Sequence, residues 1–285
     1  MNNPKSLQIT QALAWATAEC CMHESAQLDA QVLLGYVLDK PRSYFYTWPE
    51  RILSEEALQS YQKLIAQRKQ GVPVAHLIGE REFWSLPFYV NSSTLIPRPA
   101  TESLVEIVLN LPLPEQARLL DLGTGTGAIA LSLAHERPKW RIQGLDQSEQ
   151  AIALARKNKQ RLKLEQVMLY QSSWFDQVTE QGFDCIVSNP PYIDQDDVHL
   201  QQGDVRFEPR SALVAADQGL SDLQHIVWQS RKYLLSQGYL VLEHGYQQGK
   251  AVQSLMEQAG FSEIKTLCDA EGHSRVTFGV LAEKL

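Results

Sequence analysis

Short apolar runs alternating with helical periods, a glycine-rich turn directly after one of those runs, and a separate helical stretch ahead of them predict an α/β chain. The expected architecture is a doubly wound, seven-stranded sheet preceded by a small N-terminal helical domain. From about Ser6 to Gln70 apolar residues recur every three or four positions, as in Leu28, Val32, Leu33, Val37 and Leu38. Ser54 followed by Glu56 and Ala57 marks a helix start, and Gly71 with Pro73 marks its stop. From Glu82 to Val90 the chain is aromatic, partly alternating and interrupted by Pro87, which predicts a hairpin or edge strands. Candidate strands then follow at Arg118 to Leu122, Arg141 to Leu145, Gln166 to Tyr170, Phe183 to Ser188, Gly238 to Glu243, Ser262 to Leu267 and Arg275 to Val280. Only Cys268 to Ser274 separates the last two, so they are expected to pair antiparallel at one edge. The resulting division is a helical domain at 1–75, a hairpin linker at 76–97 and an α/β domain at 98–285.

Composition excludes several classes. The 285 residues are 44% hydrophobic and 21% charged, an ordinary globular balance with length for one large and one small domain. With 26 basic against 33 acidic residues the net charge of −7 opposes non-specific binding to nucleic acid or anionic membrane. No stretch approaches the roughly 20 apolar residues that span a bilayer, and Lys5, Glu19, Glu24 and Asp29 interrupt the first thirty positions. Neither signal peptide nor membrane anchor is expected. Cys20, Cys21, Cys185 and Cys268 form no CxxC pair and the seven histidines no HExxH. The cysteines read as reduced thiols of a cytoplasmic protein, and neither they nor the histidines suggest a metal site.

The segment Leu119-Leu120-Asp121-Leu122-Gly123-Thr124-Gly125-Thr126-Gly127 is a buried strand entering a glycine turn, with a helix beginning near Ala128. Such a turn lets a ligand approach the helix N-terminus closely. The next strand ends in Asp146, about 20 residues on, where a carboxylate accepts hydrogen bonds from ribose hydroxyls. Gly125, Gly127 and Ala130 equally satisfy the GxGxxG/A pattern of nicotinamide enzymes, so the loop alone leaves both readings open. Charge favours one of them. Asp121 precedes the loop and no Lys or Arg lies between Arg118 and Arg137 to meet a phosphate, which suits S-adenosylmethionine, with its sulfonium, its ammonium and no phosphate. A P-loop is excluded because GK[ST] is missing.

A second segment, Phe183 to Tyr192, is an apolar strand that ends in Asn189-Pro190-Pro191-Tyr192, at the strand end where open α/β sheets bind ligands. Two prolines fix φ and push Asn189 and Pro190 towards extended geometry, so the turn is stiff before any substrate arrives. An amide nitrogen is a poor nucleophile because its lone pair is delocalised, and a site for it must hold the NH₂ rigidly. The Asn189 side-chain oxygen and the Pro190 carbonyl are suited to accept its two N–H bonds, with Tyr192 flat against the planar amide. Each such bond contributes only about 0.5–1.5 kcal/mol, whereas orientation removes roughly 7–11 kcal/mol of barrier. A rigid surface turn would explain this tetrapeptide alone, but not its combination with the glycine loop and Asp146.

With these residues in view the chain resembles the HemK/PrmC-type release factor glutamine methyltransferases along nearly its whole length. The resemblance rests on Gly79-Glu80-Arg81-Glu82-Phe83-Trp84, Leu95-Ile96-Pro97-Arg98-Pro99, the DLGTGTG loop, NPPY, and Val205-Arg206-Phe207-Glu208-Pro209. It implies a class I methyltransferase fold, with the helical domain binding the substrate and the α/β domain binding S-adenosylmethionine, which leaves as S-adenosylhomocysteine. It also implies methylation at N5 of the glutamine in the GGQ motif of peptide chain release factors, with no direct nucleic-acid or membrane partner. Carried over, the cofactor contacts fall on Asp121, Gly123, Thr124, Gly125, Thr126, Gly127, Asp146, Trp174 beside the adenine, and Asn189. The substrate amide falls on Asn189, Pro190, Pro191 and Tyr192, of which Asn189, Pro190 and Tyr192 are the catalytic candidates. Ala100 stands where the family usually has an acidic residue, and Ser173 where it often has Asp. Arg98 and Arg206 suit substrate steering or site closure, but an arginine in a loop is more often solvated or ion-paired, and Glu208 and His244 fall near strand ends without a catalytic assignment.

Three rival readings remain. A DNA or RNA adenine-N6 methyltransferase uses the same turn but needs a basic groove and usually a target-reading domain, against which the charge of −7 and the small helical domain weigh. A ribosomal-protein glutamine methyltransferase is separated only by the flanking segments. A binding module without turnover is disfavoured by the intact loop and turn.

Overall fold

The computed structural model describes residues 6–269 and 271–283. The chain divides into two compact units, one comprising residues up to Gly79 together with Gln202–Phe207, the other Glu80–Gln201 with Glu208 onward. No helix among the described residues is long and apolar enough to cross a membrane.

The first unit contains α1 (Ile9–Glu19), α2 (Ala26–Leu38), α3 (Ser43–Thr47), α4 (Glu55–Lys69) and α5 (Val74–Ile78). The Ser54 side chain caps α4 by accepting from the Ala57 N–H at 3.2 Å, as its sequence position predicts. Ile9, Ala16, Leu33, Leu34, Tyr61 and Ile65 form the core, and the buried Tyr61 hydroxyl donates to the Ala30 carbonyl at 2.9 Å. Beside this core Arg68, only 5% exposed, reaches Asp29 at 2.7 Å and Asp204 at 2.9 Å. Asp204 belongs to the Gln202–Phe207 segment, so this ion cluster ties that segment to α4.

The second unit opens with a hairpin of β1 (Glu80–Phe83) and β2 (Leu86–Tyr89), followed by α6 (Pro99–Asn110), β3 (Arg118–Leu122), α7 (Ala128–Glu136), β4 (Arg141–Asp146), α8 (Glu149–Leu162), β5 (Met168–Gln171) and β6 (Phe183–Ser188). A two-residue ribbon pairs β7 (Ile193–Asp194) with β8 (Val214–Ala215). The chain continues through a short turn, α9 (Ala216–Gly219), into α10 (Ser221–Tyr233), β9 (Leu234–Glu243), α11 (Gly249–Gln258), β10 (Phe261–Cys268) and β11 (Ser274–Leu281). The main sheet has seven strands in the order β10-β11-β9-β6-β3-β4-β5. As expected, β10 and β11 pair antiparallel at one edge, and β11 joins β9 antiparallel, while the remaining neighbours run parallel.

Alternation along the central strands divides the core into two layers, as period-two geometry requires. Leu119, Val187 and Val241 pack with α6, α7 and Ala155 of α8, whereas Leu120, Ile186 and Leu240 face α10 and α11. Strand β9 starts four residues before the predicted Gly238. The extra residues join through a register irregularity opposite Phe183 and Cys185, with Gln237 left-handed at φ 65°. Asn158 of α8 is fully buried and grips the hairpin, accepting from Tyr89 N–H at 2.7 Å and donating to Tyr89 O at 3.0 Å and Thr126 O at 2.9 Å.

Replacing Arg68 by Ala strands Asp29, itself 6% exposed, as an unpaired buried charge. The expected loss is about 3–5 kcal/mol from the helical unit, measurable as a lowered urea midpoint in its unfolding.

Candidate active site

Parallel register sets the site. Leu122 of β3 lies beside Ser188 of β6, which lies beside Leu242 of β9. The glycine loop after β3, Asn189 after β6 and Glu243 at the end of β9 therefore gather at one edge, and Ser188 Oγ donates to the Leu122 carbonyl at 2.7 Å to lock two of the strand ends together. The loop opens onto a cleft at this edge.

Gly123, Thr124, Gly125 and Thr126 line this cleft, with Asp146 and Trp174 beside them and Asn189 and Pro191 from the NPPY turn. Asp146 closes the second strand, its carboxylate accepting from Gly125 N–H at 3.0 Å and Ser148 N–H at 2.9 Å. Burial raises its pKa against the pull of those two bonds. The Trp174 ring stands beside Gly123, its side chain held by a hydrogen bond to Asp222. Four sequence-named positions do not line the cleft. Gly127 starts α7 at φ 82°, where a Cβ would come within 2.9 Å of Leu131 Cδ1, so it shapes the turn from behind. Asp121 is fully buried beneath the loop and accepts the Thr124 hydroxyl at 2.6 Å, leaving Oδ1 without a hydrogen bond. Pro190 is buried in the corner. Tyr192 packs its ring against the β3–β6–β9 core and donates its hydroxyl to Glu243 at 3.2 Å.

The corner is braced from several sides. Asn189 Nδ2 donates to Thr101 Oγ1 at 3.1 Å. The Gln248 amide donates to Tyr192 O at 3.0 Å and Gln218 O at 3.1 Å, while its oxygen accepts from Gly245 N–H at 2.9 Å. Asp217 and Gln218 are left-handed at φ 54° and 57°, strained for residues with side chains. Gly219 follows at φ 80°, where a Cβ would sit 2.1 Å from the Tyr192 carbonyl oxygen, so only glycine lets the chain cross there.

Arg98 is the sole cation among the described residues lining the cleft, and it pairs with buried Glu208 at 2.6 Å. Glu208 also accepts the Ile96 N–H at 3.1 Å and so clamps the Ile96–Pro99 segment. Arg206 lies instead in the segment grouped with the helical unit, over the Phe207 ring. His244 is spent within the sheet, between the Gly245 carbonyl at 2.9 Å and Thr277 Oγ1 at 2.8 Å. Ser172 rather than Ser173 faces the cleft. The sequence reading passes over Thr101, Ser172, Gln248 and Glu243. Only position next to a recognised motif could have flagged them, as Thr101 follows the IPRP run. The described residues contain no cluster of His, Cys, Asp or Glu suited to a metal.

The lining fits a cationic cofactor without phosphates. Its acidic group is Asp146, with Asp121 buried beneath the loop, its one cation is already paired, and the glycine loop leaves open space at Gly125. A seven-stranded sheet with this strand order and this cleft at its carboxyl edge defines a class I, S-adenosylmethionine-dependent methyltransferase. A crystal structure of a methyltransferase from Pyrococcus furiosus shares the fold at TM-score 0.55 and 17% identity, covering 78% of this chain and 98% of that one. Residues 98–207 match the family described as methyltransferase small domain, and residues 11–79 that described as PrmC N-terminal domain. Proteins named release factor glutamine methyltransferase are 55% identical in Shewanella oneidensis over 95% of each chain. In Escherichia coli K12 the figure is 51%, over 90% of this chain and 92% of the relative. The chain belongs to the release factor glutamine methyltransferase family.

Desolvation pushes the Asp121 pKa up to about 7 against the opposing Thr124 bond. The folded protein thus holds a proton that the unfolded chain releases near pH 4, so this group's contribution to stability declines as pH rises from about 4 to about 7 and is level above. In Asp121→Asn that decline should shrink, giving a flatter plot of urea midpoint against pH for the cofactor-free protein.

Proposed function

We propose that this chain transfers a methyl group to the side-chain amide nitrogen, N5, of the glutamine in the GGQ motif of peptide chain release factors. The carrying observation is that Asn189 and Pro191 of a proline-stiffened corner line the same cleft as the glycine loop, Asp146 and Trp174. When bound there, S-adenosylmethionine supplies a methyl carbon activated by an adjacent sulfonium. The Gly123–Thr126 loop would hold its amino-acid end, Asp146 would accept from its ribose hydroxyls, and Trp174 would flank its adenine.

The corner performs the positioning. Because the Asn189 NH₂ is committed to Thr101, its oxygen is the group left to accept an N–H of the incoming amide. The Pro190 carbonyl accepts the second. Tyr192 contributes by bracing the corner, since its hydroxyl is bonded to Glu243. With both N–H groups held, the nitrogen lone pair points along the line of displacement, and orientation supplies most of the rate. The proton leaves to water after transfer. The helical unit holds the body of the release factor while its GGQ loop reaches the cleft.

The curated relatives carry this activity in their names, which supports the choice of release factor over ribosomal protein. The paired state of Arg98 and the net charge of −7 weigh against a nucleic-acid base as substrate.

Incubation of the protein with S-adenosylmethionine and a release factor, followed by peptide mass spectrometry, should place one methyl on the GGQ glutamine. Methyl found elsewhere, or none, defeats the reading. Asn189→Ala should lower kcat by about 100-fold or more while its thermal unfolding stays close to that of the parent.

A further inference from the structure

In the reaction just described Glu243 serves only to anchor the Tyr192 hydroxyl, although it sits within the corner that performs the positioning. It ends β9 with 1% exposure; its Oε1 receives the Tyr192 hydroxyl at 3.2 Å, its Oε2 is buried without a hydrogen-bond partner, and the neighbouring Thr101 and Asn189 side chains favour its ionised form. Thr101, from α6 at 5% exposure, meets Asn189 Nδ2 at 3.1 Å. An asparagine side chain has one donor end and one acceptor end, and a half-turn exchanges them. For Asn189 to accept from a substrate amide, something must hold its NH₂ away from the cleft. Here a hydroxyl and a buried carboxylate occupy that side.

We propose that Glu243 and Thr101 are positioning residues for methyl transfer, fixing the Asn189 amide with its oxygen towards the cleft and its nitrogen towards the sheet. An ionised carboxylate only accepts, so it favours the NH₂ end of Asn189 and the Tyr192 hydroxyl on its side. A protonated Glu243 carries an O–H donor, which attracts the Asn189 oxygen instead and turns the acceptor out of the cleft.

The surroundings bring this exchange within reach of neutral pH. Desolvation raises the Glu243 pKa to about 7, against the lowering influence of Thr101, Arg275, Tyr192 and Asn189. The titratable and charged groups facing it are the Tyr192 hydroxyl, itself shifted upward by burial, and the Arg275 guanidinium, held by Asp269 at 3.1 Å. Arg98 acts on Tyr192 from farther off, and the neighbouring His244 is turned to Gly245 and Thr277, its pKa lowered by burial.

The inference rests on the function proposed above, and its test separates the two. Full-length wild type, Thr101→Val, Thr101→Ser and Glu243→Gln are assayed with a release factor at saturating S-adenosylmethionine across pH 6–9. Thr101→Val and Glu243→Gln should each lose about 10–100-fold in kcat, with cofactor Kd changed by less than about threefold, and Thr101→Ser should recover most of the activity. Wild-type kcat should rise through a limb near pH 7 that persists in Thr101→Val and flattens in Glu243→Gln. In parallel, the Asn189 side-chain NH₂ resonances should titrate near pH 7 in wild type and stay constant in Glu243→Gln. Unchanged kcat in both Thr101→Val and Glu243→Gln, or an Asn189 signal indifferent to Glu243, overturns the proposal. If wild type leaves the release factor unmethylated while the Asn189 signal follows Glu243, the substrate reading falls and the positioning stands.

Discussion

Everything functional in this chain follows from the register of three parallel strands. Because β3 and β6 end level at Leu122 and Ser188, with Leu242 beside them one residue before the end of β9, the residues at these strand ends are neighbours without further contrivance. A one-residue slip would reverse the faces of every side chain on a strand and send half of each hydrophobic layer into solvent. The two-layer core that selects the register therefore also assembles the site. Stability and function share one constraint at this edge, and the Ser188 bond to the Leu122 carbonyl is its local fastening.

Around that edge the protein spends conformational strain where rigidity matters. The turn at Asp217 and Gln218 places two residues with side chains in left-handed geometry, a cost of roughly 1–2 kcal/mol each. Its return is a close crossing over the Tyr192 carbonyl and a carbonyl at Gln218 that shares the Gln248 amide with Tyr192. The β7–β8 ribbon secures the chain immediately beyond, where Ile193 N–H meets the Leu213 carbonyl at 2.9 Å. Two prolines stiffen the corner from within, and these contacts stop it from moving as a body.

Local features were legible in the sequence, and distant partnerships were not. The bounds of β3 and β6 emerge unchanged because each is a dense apolar run closed by a strong punctuation mark, Gly123 in one case and Asn189-Pro190 in the other. The antiparallel edge followed from a connection too short for a crossover helix. By contrast, Thr101 acquires its role from a residue 88 positions away and Glu243 from one 51 positions away. Neither is unusual in its own neighbourhood. A threonine in a first helical turn looks like a helix former's neighbour, and a glutamate after an apolar run looks like the point where a strand reaches water. The strained turn was equally hidden, since Asp217 and Gln218 lack the glycine signature that left-handed geometry usually carries. The return of Gln202–Phe207 to the helical unit depends on Asp204 finding Arg68, a pairing without any periodic trace.

The single asparagine that joins the hairpin to the glycine loop has an implication for variation. All three of its bonds end on main-chain atoms, at the N–H and carbonyl of Tyr89 and the carbonyl of Thr126. Every amino acid except proline presents those atoms, so this clasp constrains position 158 and not the side chain at position 89, whose ring serves separately as a seat for the Arg161 guanidinium at 4.3 Å. As far as this clasp is concerned, change can accumulate in the side chains of the hairpin while the internal bolt that keeps the cradle in shape is spared.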